Sequence, residues 1–406
     1  MRAARGWLRV WLGARRGNVA IMFALMLPLV VGGAAFGVET TIWYLARLKL
    51  QDQADAAAYA GVLDKKNGGA ATAITAAATK GATLNGFVTA AGSITVNSPP
   101  VSGPSGANAV EVILTASQPR YFTALFTSTP LALRARAVAS YALTGAACIL
   151  ALDPSASGAA HFSGSSSLTL NGCSVMADST SSTAVSMQGA AAQLNVACIY
   201  AVGGSSLNSH ATLGCGTAVS GAAPVADPFA SLPEPSDPSA CKTVGAATLD
   251  PGNYCSGFSL NGGAVTLNPG TYIVSGGAFK LNGNVTLTGS GVTFYIKNGV
   301  SITMNGNSTV DLSAPTSGPY AGMLFFGERS NTASQTFNGN NTSHLTGNLY
   351  FAGGTVGYSG SYAGQNGCTQ IVADKVDWTG NSSFSINCSS YGMSPIPAVT
   401  VAKLAE

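Results

Sequence analysis

Residues 19–38, VAIMFALMLPLVVGGAAFGV, form an uncharged run of twenty positions. At about 1.5 Å per residue a helix of that length crosses a hydrocarbon layer of roughly 30 Å. The pattern therefore predicts a transmembrane helix through Val19, Phe23, Pro28 and Val38, with Pro28 tolerated inside the span. The helical pattern does not stop there. Ile42, Leu45, Leu48, Leu50, Ala54, Ala57 and Ala58 are interleaved with Arg47, Lys49, Gln51, Asp52 and Asp55, a stripe of mostly small apolar residues at helical spacing. An amphipathic stalk through residue 63 is expected. Its stripe, read at Leu45, Leu48, Ala54, Ala57 and Ala58, suits close helix–helix approach. Docking on partner helices and docking on the chain's own next domain both remain open.

Residues 64–144 change period more than once. Residues 70–87 are rich in Ala and Thr at helical spacing, residues 93–96 and 109–114 alternate as strands, residues 119–126 read as a short helix with Pro119 in its first turn, and residues 131–143 alternate as a longer strand. Helix, strand, strand, helix, strand implies a small α+β domain.

After Gly145 helical periodicity ends. Short apolar runs are separated by Gly, Asn and Ser, most regularly over residues 258–312: FSLNG, AVTLNPG, TYIVSGG, AFKLNGN, VTLTGSG, VTFYIKNG, VSITMNGN, STVDL. A Leu/Met/Phe-Asn-Gly corner recurs at Asn171, Asn261, Asn282, Asn305 and Asn338. A period near 20 residues with three short strands in each reads as a parallel β-solenoid (β-helix). Corner Asn residues in register can hydrogen-bond up such a stack. Residues 145–221 form a first solenoid part and residues 241–392 a second. Between them, residues 222–240 are Pro-rich and read as a linker or long excursion; residues 393–406 read as an exposed tail. The fold class is thus mixed: a transmembrane helix extended by an amphipathic helix (18–63), a small α+β domain (64–144), then the solenoid.

Charge fixes the topology. Arg2, Arg5, Arg9, Arg15 and Arg16 precede the span and no acidic residue does, so residues 1–17 are expected in the cytoplasm and the body outside it. Trp7 and Trp11 would lie near the inner headgroups, Trp43 and Tyr44 near the outer ones. A cleaved signal peptide is the competing reading, but the apolar run exceeds the roughly 7–15 residues of an h-region. Charged residues are only 9% of the chain, against roughly 25% in ordinary domains. The net charge of +3 comes largely from the N-terminal arginines, so a nucleic-acid-binding body is not expected.

All eight cysteines lie between positions 148 and 388, in the part expected outside the cytoplasm, which argues for disulfides. Eight cysteines permit 105 connectivities. Separations near one solenoid turn favour the sequential pairs Cys148–Cys173, Cys198–Cys215, Cys241–Cys255 and Cys368–Cys388. No C-x-x-C occurs and His161, His210 and His344 are scattered, so no zinc site or other cofactor is expected. Asp153-x-Ser155-x-Ser157 resembles the metal-ion motif of von Willebrand A-type domains, but Pro154 fits it poorly and the helix–strand alternation that fold needs does not follow. Some β-solenoids cleave polysaccharides with clustered carboxylates. Here the candidates are few, Glu328 beside Arg329 and Asp374 with Asp377 around Lys375, so neither catalysis nor a small-molecule substrate is expected. Thr266, Thr286, Thr288, Thr293, Thr303 and Thr309 would stud the outer faces, either as strand-favouring surface residues or as a flat hydroxyl surface.

The run RRGNVAIMFALMLP, followed by W-Y-x-A-R-x-K-L-Q-x-x-A-D-A-A-A-x-A-G, resembles the N-terminal segment of TadE/TadG-like Flp pilus-assembly proteins, most closely the TadG type. The pattern around residues 108–139 and the LDPSASG, TLNPGTYIV and LSAPTSGPYAGMLFF stretches resemble later regions of the same family. In its pilin-like relatives a peptidase cuts after the Gly matching Gly17 and a Glu follows five residues on; Met22 stands there instead, which implies an unprocessed anchor. The resemblance implies a single-pass inner-membrane protein with a periplasmic body, acting as a non-enzymatic accessory of a Flp/Tad pilus machine or its pilin-like partners. The alternative function is a membrane-anchored or shed adhesin-like solenoid.

Overall fold

The computed structural model describes residues 18–102, 106–238 and 240–405. It comprises two compact units, Met1–Ala142 with Val401–Glu406, and Leu143–Thr400. The arginines, Trp7, Trp11 and Gly17 of the basic segment lie outside the described residues.

The first unit is built on α1 (Asn18–Lys66), one continuous helix of 49 residues. Its second half is dominated by Ala, Leu, Gln and Lys, strong helix formers. It ends at Asn67-Gly68, where Gly68 takes the left-handed φ of +82° that terminates helices. The chain then turns back into α2 (Ala71–Leu84), which packs against α1. The approach is close because the contact is made by Gly and Ala: a Cβ on Gly81 would lie 2.8 Å from that of Ala60. Three antiparallel strands follow, β1 (Gly92–Asn97), β2 (Ala109–Gln118) and β3 (Leu131–Ala151), paired in chain order. One face of the sheet, with Val110, Val112, Leu114, Leu133, Ala135 and Ala137, closes a core with Leu50, Ala54, Ala57, Ala58 and Val62 of α1 and Ile74, Ala78 and Ala82 of α2. The short helix expected over 119–126 is only a 3₁₀ turn, Thr123–Leu125. Tyr121, Phe122 and Thr123, which precede and open that turn, are committed to contacts with α1, described below.

Glu111 on β2 is fully buried and satisfied: it accepts from Arg136 Nε (2.6 Å), Asn97 Nδ2 (2.7 Å), the Val101 amide (3.1 Å) and Ser102 Oγ (3.2 Å).

The second unit is a parallel β-solenoid of about ten turns. Successive strands stack in register: Tyr272, Phe294, Phe325, Leu349, Ile371, Ile149, Val175 and Ile199 form one inward column. Phe258, Phe279, Phe294, Phe325 and Phe337 meet inside at centroid distances of 5.1–5.8 Å, a geometry aromatic rings favour. The corner ladder exists at Asn282, whose Nδ2 donates to Asn261 Oδ1 at 3.0 Å. The four sequential disulfides are present, with Cα–Cα distances of 5.3–5.6 Å.

Turn order in space is not turn order in sequence. Strand Thr369–Trp378, late in the chain, pairs in parallel with the end of β3 (Ile371 with Ile149) and with Ala160–Phe162, while Asn381–Ser385 pairs with Ser167–Asn171. The chain enters mid-stack, climbs to residues 199–219 at one end, crosses to residue 248 at the other, and winds back to meet its own entry. The Pro-rich stretch is that crossing. It lies along an outward column of Ile273, Tyr295, Phe326, Tyr350, Val372, Leu150 and Met176, covering it with Ala222, Val225, Phe229 and Leu232. Its polar fastenings advance turn by turn: Asp178 accepts from the Val225 amide (2.9 Å), Tyr350 donates to Asp227 (2.7 Å), Arg329 pairs with Glu234 (3.2 Å), Lys297 with Asp237 (3.2 Å), and Asn253 donates to the Pro238 carbonyl (3.2 Å). The C-terminal residues are not an exposed tail. Ile396–Leu404 is a strand, with Ile396 and Ala398 buried because they complete this same apolar cluster.

Burial pushes the Glu111 carboxyl up, but its hydrogen bonds from Asn97, Arg136, Val101 and Ser102 outweigh this and hold it at about 2, below its ordinary 4.5. A carboxyl depressed on folding contributes stability above its unfolded pKa and loses it as pH falls through the folded one. Thermal unfolding of the detergent-solubilised protein, followed by Trp43 fluorescence, is expected to show the first unit weakening between about pH 4.5 and 2. Glu111→Gln should unfold at lower temperature at pH 7 and be nearly flat across that window.

Candidate membrane anchor and interaction surfaces

One face of α1 is taken by the chain itself and the rest is bare. Gly32, Ala35, Glu39, Trp43, Ala46, Leu50, Ala54, Ala57 and Gly61 recur every three to four residues and lie along the covered face. Val19, Phe23 and Val38, by contrast, are exposed, Pro28 lies within the same continuous helix, and no residue of the most apolar window of α1 is buried. Isolated exposed apolar residues are ordinary, but here they run continuously over twenty positions of α1, a stretch long and apolar enough to cross a membrane.

The two alternatives for the stalk stripe separate in space. Ala54, Ala57 and Ala58 are fully buried in the chain's own α+β core, where small side chains let α2 approach. Leu45 and Leu48 remain 57% and 44% exposed and are the part of the stripe free to meet another surface.

Glu39 was not singled out by sequence reasoning. It is 1% exposed at the end of the uncharged run. Its two oxygens accept from the Tyr121 amide (2.8 Å), the Thr123 amide (2.8 Å) and Thr123 Oγ1 (3.0 Å). The β2–β3 loop is thereby pinned to the helix, and Arg120 stacks over Trp43 at 5.4 Å. The available signal was that Glu39 is the one acid between Gly17 and Asp52, placed where an uncharged run ends. A carboxylate there needs partners.

Candidate chemistry on the solenoid resolves into structural pairs. Asp153 Oδ1 accepts from the Ser155 and Ala156 amides (2.8 and 2.7 Å), turning inward on its own backbone as an Asx turn does. Lys375 sits 3.9 Å from both Asp153 and Asp374. Burial and the neighbouring Asp153 push the Asp374 carboxyl up, with Lys375 opposing. Asp377 faces His161 across adjacent strands (3.4 Å) rather than joining Asp374. Glu328 accepts from the Asn298 amide (2.7 Å), and Arg329 donates to the Phe229 and Leu232 carbonyls of the crossing. Among the described residues no group of three or more His, Cys, Asp or Glu is placed to hold a metal ion.

The threonines do not share one face. Thr266 and Thr288 lie side by side, their hydroxyls 3.3 Å apart, and continue to Asp311 and His344; Thr286 and Thr309 form the adjacent column. Thr303 is on another strand stack. Thr293 is buried and donates to the Met323 carbonyl, because its strand, Val292–Ile296, is covered on both sides.

Residues 17–79 match the model of a protein family described as putative Flp pilus-assembly TadE/G-like. The match spans α1 and the first part of α2. No curated protein and no solved structure gives a match.

Replacing Glu39 by Ala removes the shared acceptor of the Tyr121 and Thr123 amides. Hydrogen exchange on the detergent-solubilised protein is expected to accelerate at the Tyr121 and Thr123 amides, with amides of the strand Val292–Ile296 unchanged. Unaltered exchange at both loop amides would show that the carboxylate does not hold the loop.

Proposed function

We propose that this chain, which carries a TadE/G-like Flp pilus-assembly segment at residues 17–79, is a membrane-anchored, non-enzymatic accessory of a Flp/Tad-type pilus machine. The observation that carries the reading is the coincidence of two independent facts. The matched segment is the same stretch of chain whose apolar half has no buried residue. In this reading residues 19–38 cross the inner membrane with the basic N-terminus in the cytoplasm, and the α+β unit and solenoid stand in the periplasm. Four disulfides suit an oxidising compartment.

The mechanism is positional. Lipid covers the span, α2 and the sheet cover the inner face of the stalk, and Leu45 and Leu48 remain for a helix of the pilus machine or a pilin-like partner. The solenoid supplies a rigid scaffold whose turns satisfy one another's backbone. A surface-binding role for the hydroxyl columns at Thr266, Thr286, Thr288 and Thr309 is the second reading, favoured by their register on one face.

Complementation of a deletion strain separates the two. The Leu45→Asp/Leu48→Asp pair should reduce piliation about five- to thirtyfold, what losing one or two kcal/mol of docking predicts. The same variant should melt within a few degrees of the native protein, since both side chains are surface groups. Replacing Thr286 and Thr288 by Lys should leave pili intact. Normal piliation in the leucine variant, with lost surface adhesion in the threonine variant, would favour the adhesin instead.

A further inference from the structure

The loop between β2 and β3 carries the most exposed aromatic and aliphatic cluster outside the span itself. Tyr121, Leu125 and Phe126 are 62%, 79% and 78% exposed, and Phe122 meets Phe126 edge to face at 6.1 Å. Three apolar side chains that open to water would be costly on a lone loop. Their position explains them. A Cβ on Gly32 would sit 3.7 Å from the Phe122 ring. Gly32 is seven residues before Glu39, which along a helix is about 10 Å. The loop therefore does not rest at the end of the uncharged run; it lies alongside its last two turns.

Backbone accounting points the same way. Non-helical backbone at membrane depth is tolerated only where its polar groups are satisfied within the protein. The amides of Tyr121 and Thr123 donate to Glu39, and those of Leu125, Phe126 and Thr127 donate to the Phe122 and Thr123 carbonyls. Arg120 Nε closes the loop on the Thr129 carbonyl at 2.7 Å, and the guanidinium lies over Trp43, on the side away from Gly32. The apolar residues occupy the end of the loop that runs toward the span, and the charge occupies the end that runs away from it. Glu39, buried yet fully bonded, is what allows a carboxylate at this level.

We propose that residues 121–126 are a membrane wedge: Tyr121, Leu125 and Phe126 insert into the outer leaflet of the same bilayer that residues 19–38 cross, at the boundary between headgroups and acyl chains. This rests on reading residues 19–38 as a span. It gives the anchor a second point of contact, which fixes the rotation of α1 about its own axis relative to the membrane plane and so the direction in which Leu45 and Leu48 face.

The test is spin-label accessibility on the full chain in nanodiscs of phosphatidylethanolamine and phosphatidylglycerol. Single variants Leu125→Cys and Phe126→Cys carry the label at the loop, Val30→Cys in the span and Thr286→Cys on the solenoid; all four side chains are exposed, so labelling spares the core. The ratio of relaxation by oxygen to relaxation by a water-soluble nickel chelate is expected to be high at 125 and 126, approaching that at 30 and well above that at 286. An aqueous ratio at 125 and 126 with a lipid ratio at 30 would overturn the wedge and leave the span standing. Shielding from both reagents at 125 and 126 would also overturn it, by showing protein where lipid is claimed. An aqueous ratio at 30 would remove the span itself.

Discussion

Everything in the first unit depends on how the surface of a single helix is divided. α1 presents one stripe, from Gly32 through Glu39, Trp43 and Leu50 to Val62, to the rest of its own unit, and leaves the other faces of residues 19–38 exposed, with none of those residues buried. Small residues on that stripe are what make the division possible. Ala54, Ala57 and Ala58 let α2 and the sheet come close enough to close a core, and Gly81 answers them from the other side. A continuous helix that supplies core to its own unit couples its bare apolar half to that core mechanically. The apolar half cannot rotate without disturbing the packed half.

The second unit solves a different problem. A chain with so few charges and so many glycines holds its fold by stacking parallel strands in register and burying alternate side chains, each turn covering its neighbour. The permuted order of turns adds a constraint that a simple solenoid lacks. Because the chain must return from residue 219 to residue 248 at the far end, it carries its own cover for the outward column at Tyr295, Phe326 and Tyr350. Asp178 is part of that fastening: burial raises its carboxyl to about 6, with the Val225 amide pulling it down. The carboxylates that drew attention as candidate catalysts, Glu328 and Asp374, are drawn into similar local pairings.

Much of this was legible from residue order alone, and the reasons are physical. The long apolar helix, the solenoid and the strands at 93–96 and 109–114 are governed by periodicity, which local sequence records directly. The disulfide pairing followed from the same period, since neighbouring turns place sequential cysteines within bridging distance. What was missed depended on contacts far apart in sequence. Proline-rich residues 222–240 look like a spacer because nothing local reveals that Phe229 has Tyr350 as its partner. Thr293 looks like its exposed relatives, but every residue of its strand is buried and its hydroxyl donates to the Met323 carbonyl thirty positions away. Glu39 looks like the first polar residue after a span, and its partners lie more than eighty positions away. Residues 119–126 have helical character, but the carboxylate of Glu39 and the docked Phe122 leave room for one 3₁₀ turn only.

The central claim is that this chain remains in the membrane through an intact α1 while the pilus is built above it. Shearing filaments from cells, then measuring where the protein is and its intact mass, tests that claim most directly. Full-length protein in the inner-membrane fraction, resistant to alkaline extraction, is the expected result. Protein recovered in the sheared filaments, shortened after Gly17 or after the span, would contradict it.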